Sequence, residues 1–206
     1  MEQPHRLFLF CVNKRIERGA GFEYSSVWER PSARSGLPEE MYRRQKKGYR
    51  MTIRRAQNKD IPGILALLSQ VLELHAAIRP DIFIPGTTKY THEELEEMLR
   101  NDLLPVFVAV NEEDQVMGYA FCAIRDQSNS NNMVPFRSVY IDDLCVDSSM
   151  RGRHLGEQLF AHVKDEARKL GCYEITLNVW EGNDSARGFY EKMGLKVKST
   201  TMEYIL

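Results

Sequence analysis

Between Val146 and Glu157 the chain reads Val-Asp-Ser-Ser-Met-Arg-Gly-Arg-His-Leu-Gly-Glu. An apolar run from Tyr140 to Val146 precedes this stretch and reads as a strand. A helical pattern follows it. A turn rich in glycine and cations between a strand and a helix is an anion cradle. Gly152 and Gly156 let the backbone approach a ligand closely. The helix start presents free N–H groups and the positive end of its dipole. Arg151 and Arg153 add charge-assisted donors suited to phosphate. A chain of this kind is expected to fold so that a phosphorylated ligand sits here.

The rest of the chain supplies the frame. Met51 to Ala56 reads as a short strand, and Asn58 as the cap of a helix with Ile61, Ile64, Leu65, Leu68, Val71, Leu72 and His75 at helical spacing. Arg79-Pro80 closes it. Thr91-His92-Glu93-Glu94 has capping-box spacing and opens a second helix that runs to about Asn101. Val106–Val110 reads as a buried strand, Asn111–Gln115 as a hairpin turn and Val116–Ile124 as the returning strand. Gln127 to Asn132 is a polar surface turn, and Arg137–Val146 a further strand. A helix then spans about His154 to Leu170, and Gly171 ends it. Tyr173–Val179 is a strand, Asn183 caps a helix ending near Met193-Gly194, and Leu195–Val197 and Thr200–Leu206 read as closing strands. The order β-α-α-β-β-β-α-β-α-β-β predicts an α/β fold. Its sheet is mixed, mostly antiparallel and twisted, with one right-handed parallel crossover and helices on both faces.

Residues 1–50 differ from this body. Breaks at Ala20-Gly21, Pro31–Gly36 and Lys46–Gly48 deny them a sustained period. We expect residues 1–50 to be disordered or a non-native extension, with one short strand at Leu7–Val12 and a restart at Met51, and residues 52–206 to form the domain. The arm carries 11 Lys and Arg against 6 Asp and Glu, a net of +5, while residues 51–206 carry 17 against 23, a net of −6. A mildly acidic body makes nucleic acid an improbable partner, and the dispersed cations of the arm read as a solvated tail. With 43% apolar residues the chain can build a core. No run approaches the roughly 18–20 apolar residues of a spanning helix, so no membrane association is expected. Four cysteines without CxxC or CxxH spacing favour reduced thiols and a cytoplasmic location over disulfides or zinc.

Two separated motifs carry a family resemblance. One is Tyr140–Val146 followed by Arg151-Gly152-Arg153-His154-Leu155-Gly156, which resembles an acetyl-CoA motif of the form Arg/Gln-x-x-Gly-x-Gly/Ala. The other is Asn183-Asp184-Ser185-Ala186-Arg187-Gly188-Phe189-Tyr190, which resembles an Asn-x-x-Ala-x-x-Phe-Tyr helix. Both in this order resemble the GCN5-related N-acetyltransferase (GNAT) superfamily over residues 52–206. One residue departs from the pattern: His154 stands where the motif has its first glycine. Its β-carbon could narrow the pocket, or its imidazole donate to a phosphate; the blander reading, with the ring in solvent, is preferred.

The resemblance implies acetyl-CoA as co-substrate, without a metal. Its diphosphate would lie on the N–H groups from Arg151 through Gly152, Arg153, His154, Leu155 and Gly156 to Glu157. Its pantetheine arm would lie along Leu144, Cys145 and Val146 like an added strand. Asn183 and Ala186 complete the implied cofactor-binding set. Such an arrangement requires the sheet to splay, and Asp142-Asp143 is the place for a bulge. The implied chemistry is direct acetyl transfer in a ternary complex to a primary amine, either a small molecule or a protein N-terminus. The N–H of Val146 would be the oxyanion donor and Tyr190 the group facing the sulfur. Proton transfer from a phenol of pKa ~10 to a thiolate of pKa ~8.5 is uphill by about 2 kcal/mol, so Tyr190 is expected to hydrogen-bond the developing thiolate. Whichever of Asp142 and Asp143 faces the cleft, with Asp142 favoured, is a candidate base, Glu181 is a second, and a bound water could relay the proton instead. Asp142 and Asp143, adjacent on a strand, are expected to face opposite sides. His75–Phe83 would help build the acceptor pocket, with Arg79 and Asp81 reading substrate charge or pairing with each other. A homodimer is compatible with the resemblance. The alternative is a non-catalytic acyl-CoA-binding regulatory module.

Overall fold

A computed structural model describes residues 50–127, 132 and 134–206. The N-terminal arm, its expected strand at Leu7–Val12 and most of the Gln127–Asn132 turn lie outside the described residues. The body forms β1 (Thr52–Arg55), α1 (Ile61–Ile78), α2 (His92–Leu99), β2 (Val106–Val110), β3 (Val116–Asp126), β4 (Arg137–Val146), α3 (Leu155–Lys169), β5 (Glu174–Leu177) and α4 (Asp184–Lys192). The sheet runs β1-β2-β3-β4-β5, antiparallel except for the β4–β5 pair.

The element ends follow local chemistry. Asn58 does not cap α1. Gln57 instead caps a short 3-10 turn, Asn58–Asp60, and α1 starts at Ile61 with Pro62 in its first turn, where a missing N–H costs nothing. Thr91 and Glu94 close the capping box of α2, and that helix stops at Leu99. Gly171, at φ +68°, ends α3 as expected of a C′ glycine. Asn183 caps α4 by accepting from the Ala186 N–H at 3.2 Å. Alternation along the strands sends Val106, Val108, Tyr119 and Phe121 toward α1 and α2. It sends Phe107, Ala109, Ala120 and Cys122 toward α3 and α4. Helices therefore cover both faces.

Two further expectations fail. Asn58–Ile78 spans 21 residues, with an 18-residue window at a mean hydropathy of 1.6, long and apolar enough to cross a bilayer by length and composition. Reading only uninterrupted apolar runs misses it, because single polar residues such as Ser69 and Gln70 dilute the pattern. Its apolar stripe of Ile61, Ile64, Leu67, Leu68 and Val71 is buried in the core beneath it. The closing strands at Leu195–Val197 and Thr200–Leu206 do not form: residues 193–206 pair with no strand among the described residues. Val197, Met202, Tyr204, Ile205 and Leu206 are exposed there. A β-forming composition makes a strand only beside a neighbour to pair with.

Candidate active site

The site begins with a bulge. Against β3, Phe121 pairs with Asp143 but Cys122 pairs with Ile141, so Asp142 is an extra residue on β4. Side-chain parity changes across it. Val139 and Ile141 face α3 and α4, and so do Leu144 and Val146, three and five residues beyond Ile141. The bulge falls where β4 loses its other neighbour: the parallel pairing with β5 stops at Ile141↔Leu177. From Asp142 to Val146 the backbone pairs only with β3 among the described residues, leaving one edge to accept an extended ligand.

Because of the bulge, Asp142 and Asp143 do not face opposite sides. Tyr119, buried in the core under α1 and α2, donates to Asp143 Oδ2 at 3.0 Å. Tyr90, of the same core, donates to Asp142 Oδ2 at 3.1 Å, and Lys89 Nζ reaches that oxygen at 3.2 Å. Burial pushes the Asp143 carboxyl up to about 7, against the opposing pull of Lys89, while the neighbouring Asp142 charge adds to the rise. Burial raises Asp142 as well, and Lys89 and Tyr90 hold it down. Asp143 Oδ1 is buried with no hydrogen-bond partner.

The cradle follows at once. Asp147 accepts from the Ser149 N–H and hydroxyl and starts a 3-10 turn, Ser148–Met150, whose Met150 anchors it in the core. Arg151 to His154 then lead into α3, so the helix starts at Leu155 rather than His154. Its first N–H groups, those of Leu155, Gly156 and Glu157, have no acceptor within the helix. Gly152 sits at φ +71°, with open space where a β-carbon would stand. Gly156 has a different job: a β-carbon there would lie 3.4 Å from the Phe189 ring and 3.7 Å from Val146 Cγ2, so this glycine seats α3 against α4. Arg151 Nε is buried without a partner. An orphaned donor, an unfilled glycine turn and a free helix start together fit the phosphates of coenzyme A. The side chains of Leu144, Cys145 and Val146 are buried on the two faces, which leaves backbone atoms as their means of holding the pantetheine arm. Ala186 packs in the core and Asn183 caps α4.

His154 adopts φ +61°, ψ +16°. The left-handed conformation explains why a glycine suits this position and why a histidine strains it, by roughly 1–2 kcal/mol. The imidazole is exposed and pairs with Glu157 at 3.0 Å, while Lys192 meets the same carboxylate at 2.6 Å. Those partners hold Glu157 below the usual carboxylate range. Tyr190 is buried between Phe160 and Phe189. Burial, and then the charge of Asp143, pushes its phenol well above its usual value. Glu181 is exposed and paired with Arg187 at 2.6 Å. Cys145 is buried.

Across the split, the expected pocket stretch His75–Phe83 meets Trp180. Phe83 meets the Trp180 ring edge-on at 5.8 Å, and Arg79 lies over that ring at 5.4 Å. Arg79 pairs with Asp81 at 2.7 Å and with Glu203 at 2.8 Å, so it fixes the loop and the tail. Trp180 Nε1 is buried without a hydrogen-bond partner. No cluster of metal-ligating side chains occurs among the described residues.

The acetyltransferase (GNAT) family matches residues 69–195. The chain belongs to that family. The peptidyl-lysine N-acetyltransferase YjaB of Escherichia coli is 35% identical over 106 residues, which is 50% of this chain and 59% of that protein. The glucosamine 6-phosphate N-acetyltransferase of Arabidopsis thaliana is 36% identical over 63 residues, 31% of this chain and 40% of that protein. The chain thus aligns with well under two thirds of either relative. Among solved structures, the F44R mutant of the BH1408 protein from Bacillus halodurans superposes with a TM-score of 0.72 at 28% identity, covering 75% of this chain and 99% of that one.

Proposed function

We propose that this protein transfers the acetyl group of acetyl-CoA to a primary amine, by direct attack in a ternary complex. The observation that carries the reading is the split itself. The β4–β5 pairing ends at the Asp142 bulge, and a phosphate cradle opens directly after the exposed edge. Acetyl-CoA supplies a thioester carbonyl activated toward amines. Residues 151–157 hold the diphosphate with backbone N–H groups, helped by Arg151. The Val146 N–H polarises the carbonyl oxygen. Tyr190 donates a hydrogen bond to the departing sulfur; with its phenol raised rather than lowered, it keeps its proton until charge develops. Asp143, whose carboxyl burial pushes up to about 7, is the candidate to take a proton from the acceptor ammonium.

The acceptor class is an amine on a peptide or a small molecule, the two kinds that the names of relatives print. The reading places the protein in the cytoplasm, where reduced thiols such as Cys122 and Cys172 are at home. It includes a homodimer in which a second copy covers the exposed apolar tail around Met202–Leu206.

The test is thiol release from acetyl-CoA in the presence of a lysine peptide or glucosamine 6-phosphate. Tyr190→Phe should lower kcat by about a hundredfold, on the order of 3 kcal/mol, and leave coenzyme A affinity unchanged. Coenzyme A binding without turnover of any amine would favour the regulatory module. An unaltered kcat in Tyr190→Phe would remove that residue from the chemistry.

A further inference from the structure

The connection from Arg79 to Thr91 crosses the mouth of the split. At one end it touches the β5 side: Phe83 and Arg79 pack on Trp180, and Ile78 lies against Gly182, whose added β-carbon would sit 3.4 Å from Ile78 Cγ2. At the other end it touches β4 at the bulge, where Lys89 and Tyr90 both bond Asp142 Oδ2. Between these ends the segment holds on weakly. Ile82 and Ile84 are exposed, and the Gly86 N–H is held by Glu73 of α1 at 2.7 Å. Resting on the reading of the split as the transfer site, we infer that Asp142 is a latch, which pins the α1–α2 connection over the acceptor side of the groove through Lys89 and Tyr90.

Asp142 Oδ2 is shared by two donors of the connection, and the ion pair with Lys89 is largely withdrawn from water, with side chains 13% and 21% exposed. Breaking a desolvated pair is costly, so the latch holds while its partners remain. The bulge makes it possible. Without the extra residue, the side chain at this position could not share a face with Asp143 and Tyr119. Lys89 also stacks on the Tyr90 ring at 5.2 Å, and Tyr90 packs on Phe121 of β3, which fixes the receiving end of the latch in the core. The cradle at residues 151–157 follows the far end of β4, beyond Val146.

The experiment compares Asp142→Asn, Lys89→Met and the double variant by amide hydrogen exchange, coenzyme A calorimetry and steady-state kinetics with a lysine peptide. The latch predicts that exchange across Ile82–Thr88 speeds up at least tenfold in either single variant and no further in the double, because both remove one interaction. It predicts an acceptor KM about tenfold higher, kcat within threefold and coenzyme A affinity unchanged. Unaltered exchange in both single variants overturns it. So does a hundredfold loss of kcat in Asp142→Asn that Lys89→Met does not share, which would make Asp142 a proton-transfer group. If the wild type releases no thiol with the peptide, the transferase reading is what fails for that acceptor, and the exchange data still decide the latch.

Discussion

The two ends of the groove are built on opposite principles. The cradle grips with backbone: a left-handed Gly152, a 3-10 turn and the free start of α3. Its residues are contiguous, and most of its donors cannot titrate. The end proposed for the acceptor is built from side chains brought from five places in the chain: Arg79 and Phe83, Lys89 and Tyr90, Asp142 and Asp143, Trp180, and Glu203. It carries buried titratable groups and orphaned polar atoms. Backbone recognition suits a ligand common to a whole family. Side-chain recognition is where one member can differ from another.

The largest expected contrast is in pH. Asp143 has a folded-state value near 7, above its unfolded value near 4. The folded state therefore binds the proton more tightly between those values. Its contribution to stability is fully present below about pH 4 and is lost as pH rises through 7, at up to ~1.4 kcal/mol per pH unit. Urea unfolding of the wild type and Asp143→Asn should show the variant gaining on the wild type across this window. Coenzyme A affinity should follow no such trend, since backbone donors hold the phosphates. A flat stability difference would mean that Asp143 is not the buried acid the structure describes.

A smaller, crossed effect sharpens the same comparison. Gly152→Val puts a branched side chain at φ +71°. Leaving that conformation relieves roughly 1–2 kcal/mol of strain and turns N–H groups out of the cradle, so coenzyme A should bind about tenfold more weakly with the acceptor KM unchanged. Trp180→Ala removes the ring that receives Phe83 and Arg79. The acceptor KM should rise about tenfold, with coenzyme A binding unchanged. Kinetics and calorimetry on both variants check the crossing, and any variant that weakens both ligands equally breaks the division.

The same contrast decides what could be read from residues alone. Gly152, Gly171, the Thr91 capping box and the Asn183 cap are legible because each rule acts over a few neighbours. The bulge at Asp142-Asp143 is legible through the need for a splayed strand. Its consequence for facing is not, because one inserted residue reverses parity for everything after it. The Arg79–Glu203 pair spans 124 positions, and no local pattern announces it. The tail from Thr200 has the composition of a strand, but pairing depends on a neighbouring edge that composition does not contain. Tyr190 is legible through its motif, while the burial that raises its phenol depends on the packed core.

The smallest effect tests whether the cradle tolerates a side chain at its most strained point. His154 occupies a left-handed position with no side-chain cap bond, and its ring points outward to Glu157. Histidine is among the residues more often found there, but glycine pays no steric cost. Replacing His154 with glycine should relieve the strain and also loosen the unfolded chain, two effects of opposite sign. The strain term, roughly 1–2 kcal/mol, exceeds the entropy term, about 0.4–1 kcal/mol. A net gain of roughly 0.5–1 kcal/mol should therefore appear in urea unfolding. Coenzyme A affinity should stay within about twofold, because the neighbouring N–H groups keep their direction. A tenfold loss of affinity would show that the imidazole itself holds a phosphate, and the cradle would then share the side-chain dependence of the acceptor end.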